Sequence, residues 1–198
     1  MGHDLLVMAH VHTNWSLGMA NPTHGARIVA LAASMALASS CATAASTGDV
    51  AAPPEAPLYR VASVIDGDTL LVDREAGRES VRLIGIDAPE TGDGRTLLEC
   101  FGREARTEAR RLLSGRHVRL ATDPSQDERD RYDRLLAYVW LEDGTFVNQA
   151  MVETGYAFEY TYDLPYRYQR ELRAAGEHAM ASGAGLWAPG ACDETGWP

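Results

Sequence analysis

The amino-acid sequence predicts an α+β fold that is mainly β, a small five-stranded barrel with three helices. Three features support this fold class: short segments rich in Val, Ile and Leu, turn residues that separate them, and longer stretches with helical spacing of apolar residues. The chain has 198 residues, of which 45% are hydrophobic, so one domain can bury a core of ordinary size.

The strands are predicted from their composition and from the turns between them. YRVASVID, TLLVD and ESVRLIGID are separated by Asp-Gly and by REAGR, which predicts an antiparallel meander of three strands. RHVRLAT and RLLAYVWL predict the fourth and fifth strands.

The helices are predicted from apolar residues that recur on one face. The first helix lies in ECFGREARTEARRLLSG and ends at Gly115; its packed stripe is Phe101, Ala105, Ala109 and Leu112. The second is marked by Val147, Ala150, Met151 and Thr154, and the third, after Pro165, by Leu172, Ala175 and Ala179. Five strands with a helix after the third are the pattern of an oligonucleotide/oligosaccharide-binding (OB) barrel.

Residues 1–44 predict a secretory leader that precedes the domain. From Met19, a short polar stretch with Arg27 leads into the apolar run IVALAASMALASSCATAAS, which is too short to span a bilayer. We expect Met19 to be the true initiator. Cleavage after Ala44 gives a secreted protein, whereas lipid attachment at Cys41 in LASSC gives a cell-surface lipoprotein.

The rest of the chain predicts a tether, one domain and a short tail. Residues 45–57 are rich in Ala and Pro and are typical of a flexible tether, residues 58–189 form the barrel domain, and residues 190–198 form the tail. Beyond the leader only Cys100 and Cys192 remain, an even pair in a chain expected to be exported. We predict a disulfide between them; the alternative is two unpaired thiols.

Two turns bring a group of carboxylates to one end of the predicted barrel. Asp66 and Asp68 lie between strands one and two, and Asp87 and Glu90 follow strand three. If these strands are neighbours in a curled sheet, the four carboxylates meet. Oxygen ligands without histidine suit calcium or magnesium rather than zinc.

Arginines accompany these carboxylates, although the overall charge is acidic. The net charge is −10 and all 18 basic residues are Arg, so bulk composition does not suggest a nucleic-acid partner. RLIGIDAPE nevertheless holds Arg82 close to Asp87 and Glu90, and DERDRYDRLLAYVW places Arg134 at the start of a strand. Each segment alone is also typical of an ordinary turn or salt-bridged loop, and their combination favours a site.

Six segments together resemble a known family. VIDGDT, RLIGIDAPE, ECFGREA, DRYDRLLAYVW, VNQAMVETGYA and GLW resemble the successive motifs of the thermonuclease family, the secreted calcium-dependent nucleases of staphylococcal type. The resemblance implies an OB-fold barrel with three helices that hydrolyses phosphodiester bonds of DNA and RNA with little sequence preference and leaves 3′-phosphate ends. It also implies Ca²⁺ as cofactor, a monomer without a stable protein partner, and membrane contact only if Cys41 is lipidated.

The resemblance assigns a metal site. Asp68, Asp87 and the main-chain carbonyl of Ala88 would bind calcium, and Asp66 and Thr69 would support these ligands. Because the third ligand is a backbone atom, Ala in place of the family's more usual Thr need not harm the site.

The resemblance also assigns the catalytic and substrate-binding groups. Arg82 and Arg134 would be the two catalytic arginines, and Glu90 the proposed general base. Fixed positive charge of this kind stabilises the charge that a phosphodiester gains as water attacks. The expected substrate contacts are Arg131, Tyr132, Tyr160 and Tyr162.

Two readings of function follow from these residues. A nuclease needs Arg82, Glu90 and Arg134 together, whereas a catalytically silent OB module that binds single strands or an extracellular partner does not need all three. The presence of all three favours the nuclease. Asp133 departs from the family's glycine in DRYGR, and we expect its carboxylate to pair with Arg134 and act as a brake on activity.

Overall fold

The protein is described by a computed structural model that covers residues 50–53, 55–92 and 99–192. The predicted leader, with Met19, Cys41 and Ala44, lies outside the described residues, as do parts of the predicted tether and tail. No helix in the described ranges is both long enough and apolar enough to cross a membrane.

Five strands close into a barrel in the order β1-β2-β3-β6-β5, and the predicted fold class is confirmed. The barrel strands are β1 Leu58–Val64, β2 Thr69–Arg74, β3 Gly77–Leu83, β5 His117–Ala121 and β6 Leu135–Leu141. β1 to β3 form the predicted antiparallel meander, β5 pairs antiparallel with β1 and β6, and β3 pairs parallel with β6. The parallel β3–β6 pair matters most for function, because both strands carry a predicted catalytic arginine at or next to an end.

The predicted third strand is interrupted before it reaches Asp87. β3 ends at Leu83, and Gly85, with φ of 78°, turns the chain into a separate short strand, β4 Ile86–Asp87. This strand pairs antiparallel with β7 Phe158–Glu159. The turn moves Asp87 out of the barrel sheet and toward Asp68, which lies just before the start of β2.

Three helices and one short 3-10 helix pack around the barrel. They are α1 Gly102–Leu113, α2 Val147–Glu153, α3 Gln169–Ser182 and the 3-10 turn Gly185–Trp187. The predicted packed face of α3 is buried as expected. In α1, Leu113 is fully buried and Leu112 only partly, and Phe101 lies before the helix with φ of 70°.

Part of the segment predicted as a flexible tether lies against the barrel. Val50 and Ala52 pack on the core, and the indole N–H of Trp140 donates to the carbonyl of Val50 at 3.0 Å. The side chain of Arg119 also donates to the carbonyl of Ala56. A buried indole N–H needs an acceptor, which explains why this stretch of chain is held.

The two cysteines of the domain form the predicted disulfide. The Sγ atoms of Cys100 and Cys192 are bonded at 1.99 Å and close a loop with a sequence separation of 92. The bond joins the residue just before α1 to the described end of the chain.

Candidate active site

The turn between β1 and β2 places Asp68 next to the segment that follows β4. Asp68 is 7% exposed, and its Oδ1 accepts a hydrogen bond from the hydroxyl of Thr69 at 2.9 Å. Its Oδ2 accepts from the backbone N–H of Ala88, also at 2.9 Å. Two of the predicted metal ligands are therefore held together by a direct contact.

Arg82 lies between the carboxylates of this end of the barrel. Its Nη1 donates to the carbonyls of Leu83 at 2.8 Å and Ile86 at 2.7 Å, which closes the turn around Gly85. Its Nη2 is 2.7 Å from Oδ1 of Asp87 and 3.1 Å from Oδ2 of Asp68. A half-buried guanidinium thus bridges the two carboxylates that the sequence assigned to calcium.

Like charges crowd this site and raise two carboxyl pKa values. Burial and the charges of Asp66, Asp68, Glu99 and Asp87 all raise the pKa of Glu90. Burial also raises the pKa of Asp87, although the charge of Arg82 opposes the rise. Carboxylates that repel one another in this way favour a bound cation.

The donor chemistry fits calcium. In the described ranges, no three His, Cys, Asp or Glu side chains converge as metal ligands. The predicted ligand set needs only the carboxylates of Asp68 and Asp87 and one backbone carbonyl. Asp66 adds a further carboxylate in the same turn as Asp68, and it accepts a hydrogen bond from the hydroxyl of Thr91 at 2.5 Å. An all-oxygen set with surplus negative charge suits a hard divalent cation.

Arg134 reaches the same end of the barrel from the turn before β6. Asp130 shapes this turn, because its Oδ1 accepts from the backbone N–H groups of Tyr132 at 2.9 Å and Arg134 at 3.0 Å. Its Oδ2 accepts from Nε of Arg134 at 2.6 Å. Nη1 of Arg134 lies 3.4 Å from the hydroxyl of Thr69, so the second arginine faces the Asp68 turn.

Asp130 was missed by sequence reasoning, and Asp133 was misplaced. Burial acts to raise the pKa of Asp130, but hydrogen bonds from Arg134 and Tyr132 outweigh it and lower the pKa. The carboxylate of Asp133 is 89% exposed and lies 3.6 Å from Nε of Arg129. The expectation that Asp133 pairs with Arg134 is therefore wrong, since Asp130 holds that place. An aspartate that hydrogen-bonds backbone N–H groups two residues ahead is a common turn signal that could have identified it.

A groove of about 700 Å³ runs beside the two arginines. Its described lining includes three charged residues, Arg82, Asp87 and Arg134, and four aromatic ones, Tyr132, Tyr160, Tyr162 and Tyr166. Glu90, the predicted general base, is absent from this described lining and follows Asp87 by three positions along the chain.

The exposed aromatic rings beside the groove agree with the predicted substrate contacts. Tyr132 is 64% exposed, and the guanidinium groups of Arg131 and Arg134 lie 4.8 and 5.3 Å from its ring centre. Tyr160 and Tyr162 are also exposed, with ring centres 6.4 Å apart. Exposed rings next to guanidinium groups form a surface on which nucleic-acid bases stack.

A second carboxylate, Glu99, holds the backbone of Glu90. The N–H of Glu90 donates to Oε2 of Glu99 at 3.0 Å, and the N–H of Glu99 donates to the carbonyl of Glu90 at 3.0 Å. Sequence reasoning missed this residue because nothing in its local pattern distinguishes it from a solvated helix-start glutamate.

Comparison with known proteins gives a consistent set of relatives. Residues 80–189 match the family model described as staphylococcal nuclease homologue. The thermonuclease of Staphylococcus hyicus is 38% identical over 129 residues, which cover 65% of this chain and 75% of that protein. The thermonuclease of Staphylococcus intermedius is 36% identical over the same shares, and endonuclease YncB of Bacillus subtilis is 31% identical over 62% of this chain and 58% of its own length.

Proposed function

Because the chain belongs to the family of staphylococcal nuclease homologues, we propose that it is a calcium-dependent nuclease that hydrolyses phosphodiester bonds of DNA and RNA. It cleaves with little sequence preference and leaves 3′-phosphate ends. The observation that carries this proposal is the convergence of Arg82 and Arg134 on one groove, beside the carboxylates of Asp68 and Asp87.

Each arginine is held so that part of its guanidinium is directed to the site. Nη1 of Arg82 is fixed by two carbonyls, which leaves Nη2 to bind a phosphate oxygen in place of a carboxylate. Arg134 is held through Nε by Asp130, and its Nη atoms extend toward Thr69. Two such fixed charges stabilise the charge that develops on the phosphate, without reorganisation during the reaction.

The metal in this proposal is held by Asp68, Asp87 and the carbonyl of Ala88. Bound calcium supplies a further fixed positive charge beside the phosphate. The hydroxyl of Thr69 donates to Asp68 and keeps it oriented, while Asp66, in the same turn, accepts from the hydroxyl of Thr91.

Glu90 handles the attacking water. Partial burial and four neighbouring carboxylates raise the pKa of Glu90, which makes its carboxylate a stronger base than a glutamate without such neighbours. The backbone contacts with Glu99 fix where this residue lies along the chain.

The protein acts outside the cytoplasm in this proposal. The predicted leader directs export, and the Cys100–Cys192 disulfide supports an oxidising compartment. Export ends either in secretion after cleavage at Ala44 or in attachment through Cys41. The protein works as a monomer, with DNA and RNA as substrates and without a stable protein partner.

A nuclease assay with a chelator arm tests the function. Purified protein should cleave single-stranded DNA, double-stranded DNA and RNA in calcium, lose activity in excess EGTA, and work poorly in magnesium, which demands a tighter octahedral shell. Arg134→Ala should lower kcat by about a hundredfold or more. Arg60→Ala, which removes an exposed ion pair with Asp73 on β2, is the matched control. Full activity in EGTA contradicts calcium dependence, and binding without cleavage assigns the chain to the silent OB modules.

A further inference from the structure

The disulfide lies close to the proposed catalytic carboxylate along the chain and in space. Cys100 directly follows Glu99, and Glu99 exchanges two hydrogen bonds with Glu90, each 3.0 Å long. One of these bonds uses the side chain of Glu99 and the other its backbone N–H. The position of residue 99 therefore determines where the backbone of Glu90 lies.

The start of α1 packs directly on the Glu90 segment. A Cβ atom added at Gly102 would lie 2.2 Å from the carbonyl oxygen of Glu90 and 3.2 Å from that of Pro89. Phe101, between Cys100 and Gly102, has φ of 70°, a conformation that is unfavourable for a side chain of its size. Contacts from outside this stretch keep its strained backbone against Glu90: the ring of Tyr156 lies 5.3 Å from that of Phe101, and a second constraint acts at Cys100.

The disulfide supplies that constraint from an independently anchored segment. The 3-10 turn Gly185–Trp187, which precedes Cys192, is fixed to the end of α2 because Leu186 N–H donates to the carbonyl of Gly155 at 2.9 Å. A Cβ on Gly155 or Gly185 would collide with the backbone of the other segment, so these two chains touch. Cys192 therefore attaches residue 100 to a part of the fold that does not depend on Glu90.

We propose that the Cys100–Cys192 disulfide is a positioning element for Glu90, so that the nuclease reaches full turnover only in its oxidised form. The inference rests on the proposed function and adds a condition to it. A chain still inside the cell has reduced thiols and turns over slowly, and full activity follows export to an oxidising compartment. Such a nuclease spares the nucleic acids of the cell that makes it.

Comparison of oxidised and reduced protein tests the proposal directly. Reduction, or the paired Cys100→Ser and Cys192→Ser substitutions, should lower kcat by about ten- to a hundredfold with KM for DNA nearly unchanged, because a displaced catalytic group weakens chemistry more than binding. Circular dichroism at the assay temperature verifies that the reduced protein is folded. Equal turnover in both forms overturns the inference and leaves the proposed function intact.

Background substitutions separate a positioning role from a general loss of stability. In Glu90→Gln, reduction should cost little further turnover, because the group that the disulfide positions is already gone. In Arg134→Ala, reduction should cost the full factor seen in the wild-type protein. An equal loss on both backgrounds shows that the disulfide acts through the whole fold and overturns the inference.

Two further measurements keep the test decisive if the reduced protein unfolds. Glu99→Ala retains the disulfide but removes the contact between the side chain of residue 99 and the backbone N–H of Glu90, so this variant should reproduce the loss of kcat. Glu99→Gln keeps an acceptor oxygen and should retain most of the wild-type kcat. Hydrogen exchange at the Glu90 amide should be slow in the oxidised wild-type protein and faster in Glu99→Ala, while the amide of Leu83, bonded to Asp68 in the barrel, stays protected. Unchanged exchange at Glu90 overturns the inference regardless of activity.

An oxidised wild-type protein that does not cleave in calcium overturns the proposed function, and the inference with it.

Discussion

At the scale of single residues, Arg82 is part of the structure as well as part of the proposed chemistry. Its side chain is 14% exposed, and it neutralises Asp68 and Asp87 while closing the turn at Gly85. From sequence alone we expect Arg82→Ala to stay folded at little cost, because an arginine at a strand end is usually solvated. The observed contacts change this expectation, since removal of Arg82 leaves two carboxylates facing each other without a cation.

Arg82→Ala is therefore expected to lower stability as well as turnover, and calcium is expected to recover the stability alone. Breaking a largely buried ion pair by removing one partner costs about 3 kcal/mol. A cation bound between Asp68 and Asp87 replaces the lost charge and stabilises only the folded state. Thermal unfolding with and without calcium measures this, with Arg60→Ala as the exposed control. A variant whose melting temperature responds to calcium no more than the wild-type protein contradicts the proposed metal site.

The two aspartates of the turn before β6 should differ sharply on substitution. Asp130→Ala leaves Nε of Arg134 and two backbone N–H groups without their acceptor, so we expect it to lose about 1 to 3 kcal/mol of stability and at least tenfold in kcat/KM. Asp133→Ala removes an exposed carboxylate near Arg129 at a φ of 63°, so it should cost about 1 kcal/mol of backbone strain and stay within about twofold of wild type in kcat/KM. Steady-state kinetics on DNA and urea unfolding check both. A clear gain of activity in Asp133→Ala restores the idea of a brake.

At the scale of elements, the strands and helices were predictable, and the break within RLIGID was not. The spacing of apolar residues and the positions of turn residues located every barrel strand and the three helices of the described residues, because the apolar positions of each segment are those that the fold buries. The interruption at Gly85 lies against Tyr166, whose ring packs over it and whose hydroxyl donates to Glu159 at 2.8 Å and lies 3.2 Å from the carbonyl oxygen of Gly85. That contact joins residues 81 positions apart, so no local pattern contains it.

Gly85→Ala should be much more damaging than an equivalent change in an open turn. A Cβ at Gly85 would lie 2.5 Å from the ring of Tyr166 and 2.8 Å from Leu172, at a φ of 78°. Gly115 has nearly the same φ, 74°, with no atom within 4 Å of its Cβ position. We expect Gly115→Ala to cost about 1 kcal/mol from backbone strain alone, and Gly85→Ala about 1 to 3 kcal/mol more from overpacking. Urea unfolding of the pair isolates the packing contribution, and equal losses would show that the turn repacks freely.

The same substitution tests whether the turn sets the site. Because Arg82 bonds the carbonyls of Leu83 and Ile86 across Gly85, a distorted turn should shift Arg82 relative to Asp87. Gly85→Ala is therefore expected to lower calcium affinity as well as stability, whereas Gly115→Ala should leave it unchanged. Isothermal titration with calcium distinguishes the two.

At the scale of the whole molecule, net charge was a poor guide to a nucleic-acid substrate, and the order of short motifs along the chain was a good one. A charge of −10 argues against long-range attraction of a polyanion, yet the two arginines and the exposed tyrosines lie together on one groove. The family resemblance assigned Arg82, Arg134, Asp68 and Asp87 to one site, and the structure brings these four residues together at one end of the barrel. Sequence reasoning missed Asp130 and Glu99, which act on backbone N–H groups of other predicted site residues.

One buried carboxylate links the barrel to the third helix and should control stability in acid. Asp123 is 5% exposed and accepts from the hydroxyl of Tyr138 on β6 at 2.6 Å, from the backbone N–H of Arg167 before α3 at 2.8 Å, and from Ser125. Burial acts to raise the pKa of Asp123, but these hydrogen bonds outweigh it and lower the pKa below the ordinary 3.8. A lowered folded-state pKa means that the stabilisation is fully present above the unfolded value and is lost as pH falls through the folded value.

Asp123→Asn should therefore destabilise the protein at neutral pH and weaken its acid dependence. The carboxylate of Asp123 accepts hydrogen bonds through both of its oxygens, whereas an amide has one acceptor oxygen and an NH₂ group that would face other donors. We therefore expect the free energy of unfolding to fall by about 2 to 3 kcal/mol at pH 7. Because Asn does not titrate, the difference from wild type should shrink as pH falls below about 4. Asp143→Asn is the control. The pKa of Asp143 is also lowered, chiefly by a hydrogen bond from the side chain of Thr145, but the side chain of Asp143 is 54% exposed. Urea unfolding at a series of pH values measures both variants, and a constant difference across the series would mean that Asp123 acts through packing rather than through its charge.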